Sequence, residues 1–171
     1  MTTSKKTQFG KLPPRYKFML NPYPGEKISR CPLCAQKSGQ RKLPLLIHVL
    51  PRFVFALNYT CRFCSACDLL VAHKHEIEGM LAAMFRQNDP SVIGNDYLVS
   101  GTVEKSAWRE GMEQSMAMED MLAHSGDFAV YYEELRITQP GWFHVSQEPP
   151  IMKPPPAQDW VKQRRNTFLR K

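Results

Sequence analysis

No apolar run in this 171-residue chain approaches the roughly 18 residues that a membrane-spanning helix needs, because His48, Pro51 and Arg52 interrupt the longest one. The chain therefore reads as one without a membrane span. The patterns of the common enzyme classes are missing too: there is no nucleophile elbow, phosphate-binding glycine loop, His-Glu-x-x-His or dinucleotide glycine pattern, and the 9 glycines are dispersed. These absences set aside the familiar hydrolases, nucleotide-dependent enzymes and zinc proteases, and they point away from catalysis. Residues 1–11 are polar and basic with no apolar segment of the secretory kind, which predicts a cytoplasmic protein with reduced thiols. Wholesale disorder is excluded as well, since 43% hydrophobic and 23% charged residues match a globular composition despite 14 prolines.

Acidic residues are scarce in one place above all. In residues 1–75 only Glu26 and Asp68 stand against 13 lysines and arginines. Residues 76–150 reverse the balance, with 4 basic residues against 13 acids, and residues 151–171 reverse it again, with 6 against Asp159. The net charge of +7 is what remains of opposed blocks. Such blocks either neutralise one another across an internal face or reach for outside partners.

Local patterns divide the chain into four parts. Residues 1–16 lack periodicity and carry Pro13 and Pro14, the marks of a basic flexible arm. Residues 17–88 begin with a short strand near 16–20 and a dense turn cluster at 21–25. Two runs with strand composition follow, 43–49 and 53–60, and Pro44 confines the first to a sheet edge or a late start. After a third apolar run at 69–72, Ile77, Met80, Leu81, Met84 and Phe85 recur at helical spacing until Asn88-Asp89-Pro90 stops the helix.

Residues 89–148 read as a small acidic α+β unit. It has a strand at 97–103, then a helix over about 107–124 with Trp108, Met112 and Met116 on one stripe, ended by Ser125-Gly126-Asp127. Strands at 128–137 and 142–145 close it. Residues 149–171 form a proline-rich linker and a basic tail. The fold class expected is α+β with extended termini.

The cysteines carry the sharpest signal. Cys31-Pro32-Leu33-Cys34 and the cluster Cys61-Arg62-Phe63-Cys64-Ser65-Ala66-Cys67 bracket the two long strand runs. Two Cys-x-x-Cys units at this separation suit a tetrahedral four-cysteine Zn2+ site, each unit folding as a tight knuckle that aims two thiolates at one point. Cys64 pairs either with Cys67 or with Cys61. The residue after a knuckle's second cysteine has to tolerate a left-handed backbone, which Asp68 does better than Ser65. That favours Cys31, Cys34, Cys64 and Cys67, with Cys61 as the alternative ligand. His73 and His75 lack the further ligands a second site would need, and redox use of the first Cys-x-x-Cys is the remaining thiol chemistry.

These residues resemble the zinc-ribbon class over roughly 27–73, with Ala35 standing where a glycine often follows the first knuckle. The resemblance implies antiparallel strands held by two knuckles, and a class shared by transcription factors, polymerase subunits, ribosomal proteins and primases. It fixes a fold and not a job. Lys37, Arg41, Lys42 and Arg62 near the knuckles, with Tyr59 and Phe63 interleaved, are the residues expected to touch DNA or RNA phosphates and stack on bases. The other expectation is a protein partner, docked through the acidic unit or the basic tail.

Overall fold

Nearly continuous apolar runs at 43–49 and 53–57 in the two longest strands build the sheet on which the rest is hung. The computed structural model describes residues 8–23, 27–113, 117–131, 142, 143, 146 and 148. In chain order the strands are β1 (Lys17–Asn21), β2 (Gly39–Val49), β3 (Phe53–Cys64), β4 (Leu69–His73), β5 (Tyr97–Val103), β6 (Ser125–Asp127) and β7 (Val130–Tyr131). Helix α1 (Lys74–Asn88) follows β4, while α2 (Lys105–Glu113) and α3 (Met118–Ala123) lie between β5 and β6. The class is α+β.

All seven strands join one sheet in the order β6-β5-β2-β3-β4-β1-β7. β1 runs parallel to both of its neighbours, and the other pairs are antiparallel. The sheet crosses the boundary anticipated near residue 89, because β5 pairs with β2 from Leu45 to Val49 and β7 pairs with β1. Pro44 sits inside β2 just before β5 joins, on a stretch whose outer edge has no partner strand among the described residues. Pro44 pairs with Asn58 of β3, and contrary to the edge position or late start expected of it, β2 begins at Gly39 and lies between β5 and β3.

Successive strand side chains point to opposite faces, so β3 feeds two cores. Tyr59 and Cys61, with Phe53, Phe55, Leu57 and Phe63 beside them, face the main core under α1. There Phe85 meets Phe53 and Phe55 edge-on at 5.3 and 6.0 Å, and the Trp142 indole N–H donates to Asn95 O at 3.0 Å. The opposite face carries two smaller clusters. One gathers Met19, Ile28, Leu69 and Val71 around Cys31 and Cys64, and the other packs Leu46 and Val103 against Ala107 and Trp108.

The helical stripe is rotated from the one the sequence suggests. Ile77, Leu81, Ala82 and Phe85 are buried, whereas Met80 is 39% exposed and its place is taken by Lys74 and Glu78. These two buried charges lie 3.8 Å apart one turn from each other, and the Tyr97 hydroxyl donates to Glu78 at 2.8 Å. Burial, together with the Glu78 carboxylate, holds Tyr97 well above the ordinary tyrosine pKa, so it stays a donor. The expected helix over 107–124 is divided between α2 and α3, and residues 114–116 lie outside the described residues, as do most of the strands expected at 128–137 and 142–145.

Residues 8–16, expected in a flexible arm, are tied to β6. The main-chain N–H groups of Phe9 and Gly10 donate to the Asp127 carboxylate at 2.8 and 2.7 Å, and Lys11, Leu12 and Arg15 donate to Leu122 O, Ser125 O and Asp127 O. The physical reason is that β6 is an edge strand whose outer main-chain groups need partners. Ser125-Gly126-Asp127, read as a helix stop, is itself this strand, because glycine at 101 lets β5 approach it closely. A Cβ on Gly101 would lie 2.0 Å from Gly126 O.

Gly101→Ala is accordingly expected to destabilise the protein by about 1–3 kcal/mol, the range for overpacking against backbone. Gly79→Ala, in an open position on α1 with nothing within 4 Å of the added atom, should stabilise it by about 0.5–1 kcal/mol. Urea denaturation midpoints of the two variants, shifting in opposite directions, check this pair.

Candidate metal centre

The first knuckle is a miniature hairpin. Ser38 N–H donates to Ser29 O, Arg30 bridges Lys37, and Cys31 N–H donates to Gln36 O at 2.7 Å. Inside it the Leu33 N–H points at Cys31 Sγ (3.4 Å) and Ala35 N–H closes the turn on Cys31 O (2.8 Å). The second knuckle is the turn between β3 and β4, closed by the Cys64–Leu69 pair. Ala35 and Asp68, each directly after the second cysteine of its unit, adopt φ values of 62° and 55°. The two turns thus share one backbone solution, and Ala35 takes the left-handed position without the freedom of glycine.

These turns bring Cys31, Cys34, Cys64 and Cys67 together, with all four sulfurs within 4.8 Å of one another and Cys34 Sγ 3.6 Å from Cys64 Sγ. Four sulfurs placed tetrahedrally at about 2.3 Å from a zinc ion would stand about 3.8 Å apart, so the group can hold a metal ion. Cys31 and Cys64 are buried, Cys67 is partly covered and Cys34 is exposed. Cys61 is elsewhere. It lies three residues before Cys64 on the same strand, hence on the other face, fully buried beneath α1 with its thiol pushed up to about 12 by desolvation.

Within the group the thiols divide the charge unequally. A hydrogen bond from the Gln36 N–H holds Cys34 below the ordinary thiol range. Desolvation raises Cys31, and desolvation followed by the surrounding thiols pushes Cys67 up to about 12. His73 and His75 form no second centre among the described residues. His73 Nδ1 accepts from the Asn21 side-chain amide at 3.1 Å, and burial lowers its pKa, both of which favour the neutral ring.

The basic residues near the knuckles are scattered over three places. Lys37 lies exposed in the first knuckle. Arg62 faces the metal side of the sheet, where Nε donates to Ile28 O at 3.0 Å and Nη2 to Ser38 O at 2.9 Å. It acts as a brace across the base of the first knuckle. Lys42, paired with Thr60 in the ladder, is exposed on that same side. Arg41, one residue earlier, turns to the other face, where its guanidinium lies over Phe63 at 4.9 Å and Tyr16 at 5.5 Å. Arg15 covers the same Tyr16 ring at 4.5 Å. Nothing in the sequence singles out Arg15 or Tyr16, since they end a segment without periodicity.

The large apolar residues left exposed, Phe9, Leu50, Met80 and Met118, belong to four separate segments, and the basic tail lies outside the described residues. No helix of the described residues is long and apolar enough to cross a membrane. Comparisons of the chain with protein-family models, with curated proteins and with solved structures found no match.

Two outcomes follow from this geometry. Cys34→Ser or Cys67→Ser should lose bound metal, whereas Cys61→Ala should keep it and lose only about 1 kcal/mol of stability, the cost of a small cavity. Metal content by mass spectrometry, beside a denaturation curve, separates the two. Metals bind thiolates, so Cys31 and Cys67, held protonated at neutral pH, must each give up a proton on loading. Adding Zn2+ to metal-free protein at pH 7 should therefore release at least those two protons, with affinity falling as the pH is lowered. A pH indicator in weak buffer reads the release.

Proposed function

We propose that the protein is a non-enzymatic zinc-binding protein, a four-cysteine zinc ribbon whose metal is structural and whose basic surface binds nucleic acid. The observation that carries the zinc reading is the convergence of four thiols from two matched knuckles. Four-sulfur tetrahedral sites select Zn2+ or iron–sulfur chemistry, and four protein thiolates leave zinc no open position for water or substrate. That favours a structural ion. The cluster of Met19, Ile28, Leu69 and Val71 is small, and metal ligation would supply the knuckles with stability that so few apolar contacts cannot. Reduced thiols in this role suit the cytoplasm.

The nucleic-acid reading is supported by what the basic half does not do. Among the described residues the ion pairs are Lys74–Glu78 and His124–Glu104, and neither links the knuckle region to the acidic segment. Lys27, Arg30, Lys37 and Lys42 are exposed, as a partner rich in phosphate requires. A protein partner remains the competing reading, and the exposed apolar residues, standing singly, give it less support.

Purification with and without nuclease treatment, assayed for zinc and for co-purifying nucleic acid, tests both parts. One zinc per chain is expected, together with binding of DNA or RNA whose affinity falls linearly with salt on logarithmic axes. Zinc-free protein under reducing conditions would overturn the first part, and absence of binding at low salt the second.

A further inference from the structure

Two arginines share one aromatic ring on the face of the sheet opposite the thiols. We propose that Arg15 and Arg41, stacked on Tyr16 and Phe63, form a clamp for the backbone phosphates of a single-stranded nucleic acid. The inference rests on the nucleic-acid reading above and assigns its contact surface.

Three observations carry it. The first is the placement of charge: both guanidiniums lie over the Tyr16 ring, at 4.5 and 5.5 Å, and Arg41 also lies over Phe63 at 4.9 Å. Like charges gathered on one ring repel, and among the described residues neither has an acidic partner within ion-pair distance. An arginine braced by stacking, whose planar fork makes no side-chain hydrogen bond to the described residues, is set to receive phosphate oxygens. Arg62 is the contrast, since its Nε and Nη2 are already committed to main-chain carbonyls.

The second observation is backbone strain. Among the described residues three that are not glycine have positive φ: Ala35, Asp68 and Tyr16. Ala35 and Asp68 shape the two knuckles. Tyr16, at φ 66°, is a bulky residue in a conformation it disfavours, and its ring is the one that both arginines share. Its main chain is fixed on both sides, by Ala129 N–H donating to Tyr16 O at 2.8 Å and Arg15 N–H to Asp127 O at 2.9 Å. The strained turn sets the buried Tyr16 ring under Arg15 and under Arg41, which stands near the start of β2.

The third is the setting. Phe63 meets Tyr16 edge-on at 6.1 Å and is only partly buried, and the clamp lies on the end of a sheet instead of on a projecting helix. Stacked guanidinium planes on a sheet end suit the phosphates of a flexible strand, whereas duplex reading calls for an element that enters a groove.

Fluorescence anisotropy of a labelled oligothymidylate with the full, zinc-loaded chain tests the clamp. The double variant Arg15→Gln/Arg41→Gln should weaken binding about tenfold or more and lower the salt slope by about 1.4, as loss of two single-strand phosphate contacts requires. Arg15→Lys/Arg41→Lys keeps the charge without the planar fork and should recover only part of the loss. Lys37→Gln/Lys42→Gln should cost less than the arginine pair, and zinc content should be unchanged throughout. If the wild type binds with normal salt dependence and the arginine-to-glutamine variant matches it, the clamp is overturned while the nucleic-acid reading stands. Full recovery by lysine overturns the stacked geometry. Preference for a duplex of the same length overturns the single-strand assignment, and no binding by the wild type at low salt overturns the underlying reading and the clamp with it.

Discussion

The two-residue period of β3 is the constraint on which the molecule depends. Residues 61 and 63 fall on one face, and residues 62 and 64 on the other. That single alternation sends Cys61 and Phe63 into the core beneath α1, and it delivers Arg62 and Cys64 to the thiol side. The strand that closes the main core is therefore also a wall of the four-thiol group. A slip of one residue in its pairing with β2 would exchange these roles completely, placing Cys61 among the knuckle residues and Cys64 in the apolar core. The long ladder from Gly39–Phe63 to Val49–Phe53 makes such a slip costly.

The four-thiol group and the sheet support each other through few but specific contacts. Arg62 braces the first knuckle by holding Ile28 and Ser38, while Ser38 Oγ itself donates to Ile28 O at 2.8 Å. Met19 of β1 and Leu69 and Val71 of β4 pack from below. The knuckles are thus carried on the sheet instead of standing as a free module. Loss of Arg62 would loosen the four-thiol group without touching a cysteine.

Much of the centre was legible because its chemistry is local. Cysteine spacing defines a knuckle, and a residue able to take positive φ after the second cysteine marks which pair forms the turn, as at Asp68. The long strands and α1 were legible from composition and period, and the α+β class followed. What the sequence hid depends on contacts between distant segments. Ser125-Gly126-Asp127 has turn composition, yet pairing with β5 makes it a strand, and that pairing in turn captures residues 8–16. Arg41 and Lys42 look equivalent side by side in the sequence, but register with Cys61 and Thr60 sends them to opposite faces. Arg15 carried no signal at all, because its significance lies in a ring it shares with a residue on another strand.

The position of β1 bears on the order in which the protein is made. It lies between β4 and β7, parallel to both, so its two edges are satisfied by segments that leave the ribosome at very different times. The four thiols are all available once Cys67 has emerged, whereas the outer edge of β1 waits for Val130 and Tyr131. In that interval the N-terminal strand has one bare flank and the edge of β6, which secures residues 8–16, does not yet exist. The thiols can gather before that edge closes, and a nascent chain between the two states carries an open strand, the feature that most invites wrong pairing.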